Sequence, residues 1–246
     1  MRALFIFLIA TFSTFSVFGQ YLFEKSPVIK YKRFQNWKIN EQTEQKIDFS
    51  IKISAFFSEK SSLKLRIRSI DDENKSIISI YRDGKLLQIF KGSAIGPAPK
   101  AAYLEDINGD GLSDLKVIVP GNGGCGGYNY YLLVIYLIQG EDGMFTKISF
   151  TDLMMYHVNR PERDIDGDGN FEIITQTFQS YHNHNYWVFN LYNFDKKGFI
   201  NANEKANYPI MVQLLYNDTY KITDKISRVK MKQFARRLPD DYNRKN

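Results

Sequence analysis

The chain has 246 residues, 43% hydrophobic and 24% charged, with 33 Lys/Arg against 27 Asp/Glu, a formal charge of +6 and one Cys. That length can build a sizeable core in one domain or at most two, and the charged fraction is too ordinary for wholesale disorder. The single Cys excludes an intramolecular disulfide scaffold and a Cys-rich zinc site.

Arg2 precedes an uncharged run from Ala3 to Phe23 whose apolar heart is Leu4–Ala10. A basic start, an apolar stretch and small residues before Gln20 predict a secretory signal peptide over residues 1–19, cut near Gly19. The alternative is an uncleaved anchor, since 21 uncharged residues could just span a bilayer; Thr11, Ser13, Thr14 and Ser16 dilute it and favour cleavage. The expected location is secreted or periplasmic.

From residue 20 to 220 the chain reads as antiparallel strands. Ile47–Ile53, Leu63–Arg68, Ile78–Tyr81 and Val212–Tyr216 alternate apolar and polar residues with period two. Asp83-Gly84, Asp142-Gly143 and Asn217-Asp218 are hairpin-type turns between such runs. Cys125 sits in a glycine-rich loop, residues 123–127, with no base nearby to activate it.

Two acidic loops share one pattern, D-x-[ND]-G-D-G-x-x-[DE]-apolar. The first offers Asp106, Asn108, Asp110 and Asp114; the second offers Asp164, Asp166, Asp168 and Glu172. Side-chain oxygens at positions 1, 3, 5 and 9, with the backbone carbonyls of Leu112 and Asn170 at position 7, suit a hard cation such as Ca²⁺. Carboxylates packed this closely repel one another without a cation. No His or Cys stands in either loop, which disfavours zinc and copper. Neither loop is an EF-hand: position 12 holds Val117 or Thr175 where a bidentate Glu is needed, and the flanks read as strands. Two Ca²⁺ sites are expected, with affinities on the order of 10⁻⁴–10⁻³ M.

The loops begin 58 residues apart and sit in a repeat. Asn129-Tyr130-Tyr131 matches Asn185-Tyr186-Trp187, and Tyr136 matches Tyr192. Ile78–Gly84 resembles the same hairpin one period earlier, without an ion loop before it. Strand units at this period point to blades or stacked β units.

Residues 104–117 and the second loop through Ile174 resemble FG-GAP or VCBS-type repeats. The resemblance covers residues 100–200. It implies a loop joining two strands of a β-propeller blade and calcium held at the positions named above, with Glu172 standing where Asp is usual. A seven-bladed propeller needs roughly twice this length. The expected fold is therefore all-β and antiparallel, a small or incomplete propeller-like repeat domain. The layout is also similar to periplasmic calcium-binding inhibitors or immunity proteins of peptidoglycan hydrolases.

Tyr181, His182, His184 and Trp187 form a Tyr/His-rich segment, with both His expected on one side of a strand. They are candidate contacts for a protein or glycan partner. His157 is the only other imidazole, and Tyr128, Tyr130 and Tyr131 are further aromatics beside the first loop. No Ser/His/Asp, Cys/His or phosphate-loop arrangement occurs, and Gly92–Gly96 is not a nucleophile elbow.

Residues 221–246 hold nine of the bases and three of the acids, so residues 1–220 carry 24 of each. The basic balance therefore describes a C-terminal segment and gives little support to nucleic-acid binding. Its residues 221–238 fit a helical stripe loosely, and a strand at Val229–Met231 is the alternative; from Pro239 on it is polar. Membrane contact is expected only through the signal segment or this tail.

The expected function is non-enzymatic: an exported calcium-binding β domain that binds a macromolecular partner, with inhibition of a cell-wall hydrolase as its sharper form. The alternative is a polysaccharide-binding or polysaccharide-hydrolysing protein using the Tyr/His-rich face.

Overall fold

A computed structural model describes residues 25–43, 46–70, 75–93, 95–96, 99, 101–120, 131–153, 161–195, 198–214, 220–222 and 226–235. The signal segment, the Cys125 loop with Tyr128 and Tyr130, His157, the Asn217-Asp218 turn and the tail from Pro239 lie outside the described residues. Among those described, no helix is long and apolar enough to cross a membrane.

The fold is all-β, built from three antiparallel sheets of five strands each. A short strand β1 (Lys32–Phe34) precedes the first sheet, a meander of β2 (Lys38–Gln42), β3 (Ile47–Ser58), β4 (Ser61–Ile70), β5 (Lys75–Arg82) and β6 (Lys85–Ser93). The second sheet takes β1 as its edge and continues with β7 (Ala102–Glu105), β8 (Asp114–Pro120), β9 (Tyr131–Gln139) and β10 (Phe145–Leu153). The third contains β11 (Ile173–Tyr181), β12 (His184–Asp195), β13 (Gly198–Asn201), β14 (Ile210–Leu214) and β15 (Tyr220–Ile222). The described residues form no closed ring of sheets.

The alternation in the sequence sets which faces meet. Phe49, Ile51 and Ile53 of β3, with Leu63, Leu65 and Ile67 of β4, cover one face of the first sheet. They pack on Leu115, Val117 and Val119 of β8 and Leu133, Ile135 and Leu137 of β9. The residues between, Val134, Tyr136 and Ile138, point the other way, onto Ile173, Tyr192 and Phe199 of the third sheet. The second sheet is thus the central layer, apolar on both faces, which is why β8 and β9 read as nearly unbroken apolar runs.

The internal repeat is visible in the packing. The three matched hairpins fall one to a sheet, as β5–β6, β9–β10 and β12–β13. The matched tyrosines make the same kind of contact: Tyr136 stacks on Phe150 of β10, and Tyr192 stacks on Phe199 of β13. Asp83 and Gly84, at φ +50° and +82°, close the first hairpin in the left-handed conformation that matches strand twist.

The C-terminal segment is woven into the third sheet. β15 pairs with β14 and spans the expected boundary at residue 220. Val229–Met231 is helical, within α1 (Arg228–Lys232), which resolves the helix–strand alternative. Ile226 and Met231 seal Tyr186, Val188 and Met211 from solvent.

Candidate metal centre

Both acidic loops follow one construction. The first connects β7 to β8. The second runs from Arg163 to Glu172, two residues that bridge each other in antiparallel pairing. In each, the first aspartate folds the turn around itself. Asp106 accepts from the N–H groups of Gly109 (2.8 Å), Asp110 (3.1 Å) and Gly111 (2.8 Å). Asp164 accepts from Gly167 (2.7 Å) and Gly169 (3.2 Å). The fifth position repeats the device: Asp110 accepts from Leu112 N–H and Asp168 from Asn170 N–H, both at 2.8 Å. Gly109, Gly111, Gly167 and Gly169 all have φ between +73° and +89°. The turn therefore uses left-handed backbone at position 4 as well as at position 6, where the sequence pattern pointed.

The ninth position is the buried one. Asp114 is fully buried and accepts from Ile107 N–H (2.9 Å) and Gln139 N–H (2.8 Å). Burial, with Asp110 and Asp106 close by, pushes its carboxyl up to about 7 despite those bonds. Glu172 is buried in the second loop. It accepts from Ile165 N–H (2.8 Å) and Asn193 Nδ2 (3.2 Å), and burial pushes it up to about 7 as well. The longer Glu at this position reaches the same backbone donor, one residue after the first aspartate, that Asp114 reaches in the first loop.

In the second loop the carboxylate oxygens of Asp164, Asp166 and Glu172 lie within 4.8 Å of one another. The donor set is all oxygen and anionic, which fits a hard divalent cation. Asp168 is not in this group, and Lys205 Nζ bridges it to the group at 3.0 Å from Asp166 and 3.2 Å from Asp168. In the first loop Asn108 donates to Asp110 (3.0 Å) and accepts from Asp110 N–H (3.3 Å); its three carboxylates do not converge as those of Asp164, Asp166 and Glu172 do.

The loops are neighbours. The Asn170 side-chain oxygen comes so close to Gly109 that a Cβ there would lie 2.8 Å from it. A cleft of about 420 Å³ between them is lined by Asp106, Gly109, Gly169 and Asn170, with residues 28–30 along one side. The N-terminal segment stitches the two entrances together. Ile29 N–H donates to Glu162, Asp164 N–H donates to Pro27, and β1 pairs with β7 just before the first loop.

Sequence reasoning missed a buried ionic knot behind the loops. Lys116, two residues after Asp114, holds Glu162, two residues before Asp164, at 2.7 Å. Both side chains are 1% exposed. The hydroxyls of Tyr31 and Tyr136 also donate to Glu162. The available signal was Lys116 itself, a lone base in the apolar run Leu115–Val119, which demands a buried partner. Lys205 had no comparable signal, because its contact depends on how residues 202–208 fold back.

The Tyr/His-rich segment does not form one face. His182 and Asn183 take φ +47° and +60° and close the β11–β12 hairpin, so His182 belongs to a turn and only His184 to a strand. The expectation of both His on one strand side is corrected: a two-residue turn with left-handed backbone best matches strand twist here. His182 lies against the Tyr181 ring, and His184 Nδ1 is 3.0 Å from Gln213 Nε2. Trp187 faces the opposite side of the sheet, buried with Phe189 and Val212 and edge-on to Phe178.

No protein-family model matches the chain, and no curated protein matches it.

Proposed function

We propose that this chain is a calcium-stapled β-repeat domain, an incomplete propeller of three blades, that works by binding a macromolecular partner rather than by catalysis. The observation that carries the calcium reading is the convergence of Asp164, Asp166 and Glu172, in a loop whose hydrogen-bond plan is repeated by Asp106–Asp114. In each loop the carboxylates at positions 1, 5 and 9 and the oxygen at position 3 would hold the ion, with Leu112 and Asn170 offering carbonyls. A bound Ca²⁺ supplies positive charge that lets the buried Asp114 and Glu172 stay ionised at neutral pH. The chain's own residues then lock β7 to β8 and the Arg163 arm to β11, and so fix how the sheets sit on one another.

The non-enzymatic reading is supported by the scatter of the candidate catalytic groups: His182 in a turn, His184 against Gln213, Trp187 on the far side. Export follows from the N-terminal signal pattern. The partner is a protein or a glycan; the narrower form is an inhibitor of an exported peptidoglycan hydrolase. Thermal melting in 10 mM Ca²⁺ against EGTA tests the calcium reading. Two sites filled at about 10–100 times Kd add roughly 3–5 kcal/mol, and a chain of this size then melts roughly 6–20 °C higher. Identical melting points in both buffers would sink it. Pull-down and lysis assays with exported muramidases test the narrower form, and no binding to any of them removes it.

A further inference from the structure

Residues 1–220 carry equal numbers of bases and acids, and seven of the 24 acids stand in the two loops. A group of bases lies on the outer face of the first sheet. Strand register places Lys38 of β2, Lys52 of β3, Lys64, Arg66 and Arg68 of β4, and Lys91 of β6 on that face. Arg66 is held by Asp48, with Nε–Oδ1 at 2.9 Å. The other five are exposed; Arg68 stands opposite Asp48 across β3 and β4, and the Lys64 ammonium lies over the Tyr81 ring. Among the described residues, Asp48 and Glu41 are the acids this face presents, paired with each other across β2 and β3.

Lys52 and Lys64 stand directly opposite each other. Like charges in that position destabilise a sheet, a cost that the Tyr81 ring offsets only at Lys64. Beside Lys91, β6 also presents apolar side chains on this face: Leu86 and Ile89 are each 53% exposed, next to half-buried Tyr81 and Ile77. The opposite face of the sheet is spent on the second sheet, and among the described residues no cluster of buried side chains forms on this one.

The spacing selects the chemistry. Adjacent strands lie about 4.8 Å apart, and alternate residues along β4 lie about 6.7 Å apart, so the bases form a field suited to repeated anionic groups on a chain. Neighbouring strands rotate by about 20–25°, so five strands make a twisted surface that a plane of lipid touches only in part, while a linear polymer follows it. Stacking of nucleobases needs free aromatic platforms, yet the Tyr81 ring already carries Lys64 Nζ 5.6 Å from its centroid. Sugar rings instead present C–H faces that Leu86 and Ile89 can cover. We propose that the outer face of the first sheet binds a linear carboxylated polysaccharide, with Lys52, Lys64, Arg68 and Lys91 on the carboxylates. This surface is separate from the acidic loops and does not rest on calcium.

The test uses the full chain and a hyaluronan decasaccharide as probe, followed by calorimetry in 50 and 300 mM NaCl. A neutral malto-oligosaccharide of equal length and phosphatidylglycerol vesicles are the comparison ligands. Hyaluronan is expected to bind, at least tenfold more weakly at the higher salt, and the malto-oligosaccharide not to bind. Lys52→Glu with Lys64→Glu should weaken binding at least tenfold, and Lys52→Gln with Lys64→Gln by less, with no loss of melting temperature in the Gln pair. No binding of hyaluronan, equal binding of the neutral sugar, or binding of the vesicles alone would overturn the proposal. So would binding that survives both Lys pairs but is lost on Arg236→Glu with Arg237→Glu in the C-terminal segment.

Discussion

Replacing Asp114 by Asn separates the two demands on that side chain. The carboxylate accepts two backbone N–H bonds while fully buried, and its pKa stands at about 7 against an ordinary 3.8. A folded value above the unfolded one means that stability is fullest below about pH 3.8 and is lost as pH rises through about 7. In calcium-free buffer the shift costs the parent about 2 kcal/mol at pH 5 and about 4 kcal/mol at pH 8. Asn removes that charge cost but leaves one of the two N–H groups poorly satisfied, for about 1–3 kcal/mol at either pH. The stability of Asp114→Asn relative to the parent should therefore improve by about 2–3 kcal/mol between pH 5 and pH 8. Calcium should reverse the order, because Asn cannot supply the charge that the ion needs. The assay is urea unfolding followed by tryptophan fluorescence at both pH values, with and without Ca²⁺. A difference between variant and parent that does not move with pH, or a calcium increment kept in full by the variant, would refute the reasoning.

Glu162→Gln leaves Lys116 charged and buried beside two tyrosines, and should cost about 3–5 kcal/mol in urea unfolding. Lys205→Met removes an exposed cation that competes for Asp166 and Asp168, and should tighten calcium at the second loop by roughly two- to tenfold in a titration. Gly109→Ala and Gly111→Ala both force Ala into left-handed backbone, for about 1–2 kcal/mol each. Only the first also drives a Cβ into Asn170, so its loss in melting temperature should be the larger.

Much of the strand order was legible because alternation is a local property. Ile47–Ile53 and Leu63–Arg68 announce half-buried strands by period, and Asp83-Gly84 announces its turn by the φ values it tolerates. The loop construction was legible for the same reason, since a tight turn acts within one segment, and in the second loop it brings Asp164, Asp166 and Glu172 together. What the sequence hid was non-local. That residues 27–34 pair with the entrances of both loops depends on contacts about 70 and 135 residues away in the chain. Lys205 on Asp166 and Glu162 on Lys116 are of the same kind. The Tyr/His segment misled because a turn at His182-Asn183 breaks the strand period, and Asn183 and Asn185 signalled a left-handed position equally. The neutral sum over residues 1–220 likewise hid a basic sheet face.

The most direct test of the account is a calorimetric titration of Ca²⁺ into chelator-treated full-length protein, parent beside Asp106→Ala and Asp164→Ala. Two ions per chain are expected in the parent, with Kd on the order of 10⁻⁴–10⁻³ M, and one in each variant. No saturable binding in the parent, or two ions still bound by both variants, would contradict it.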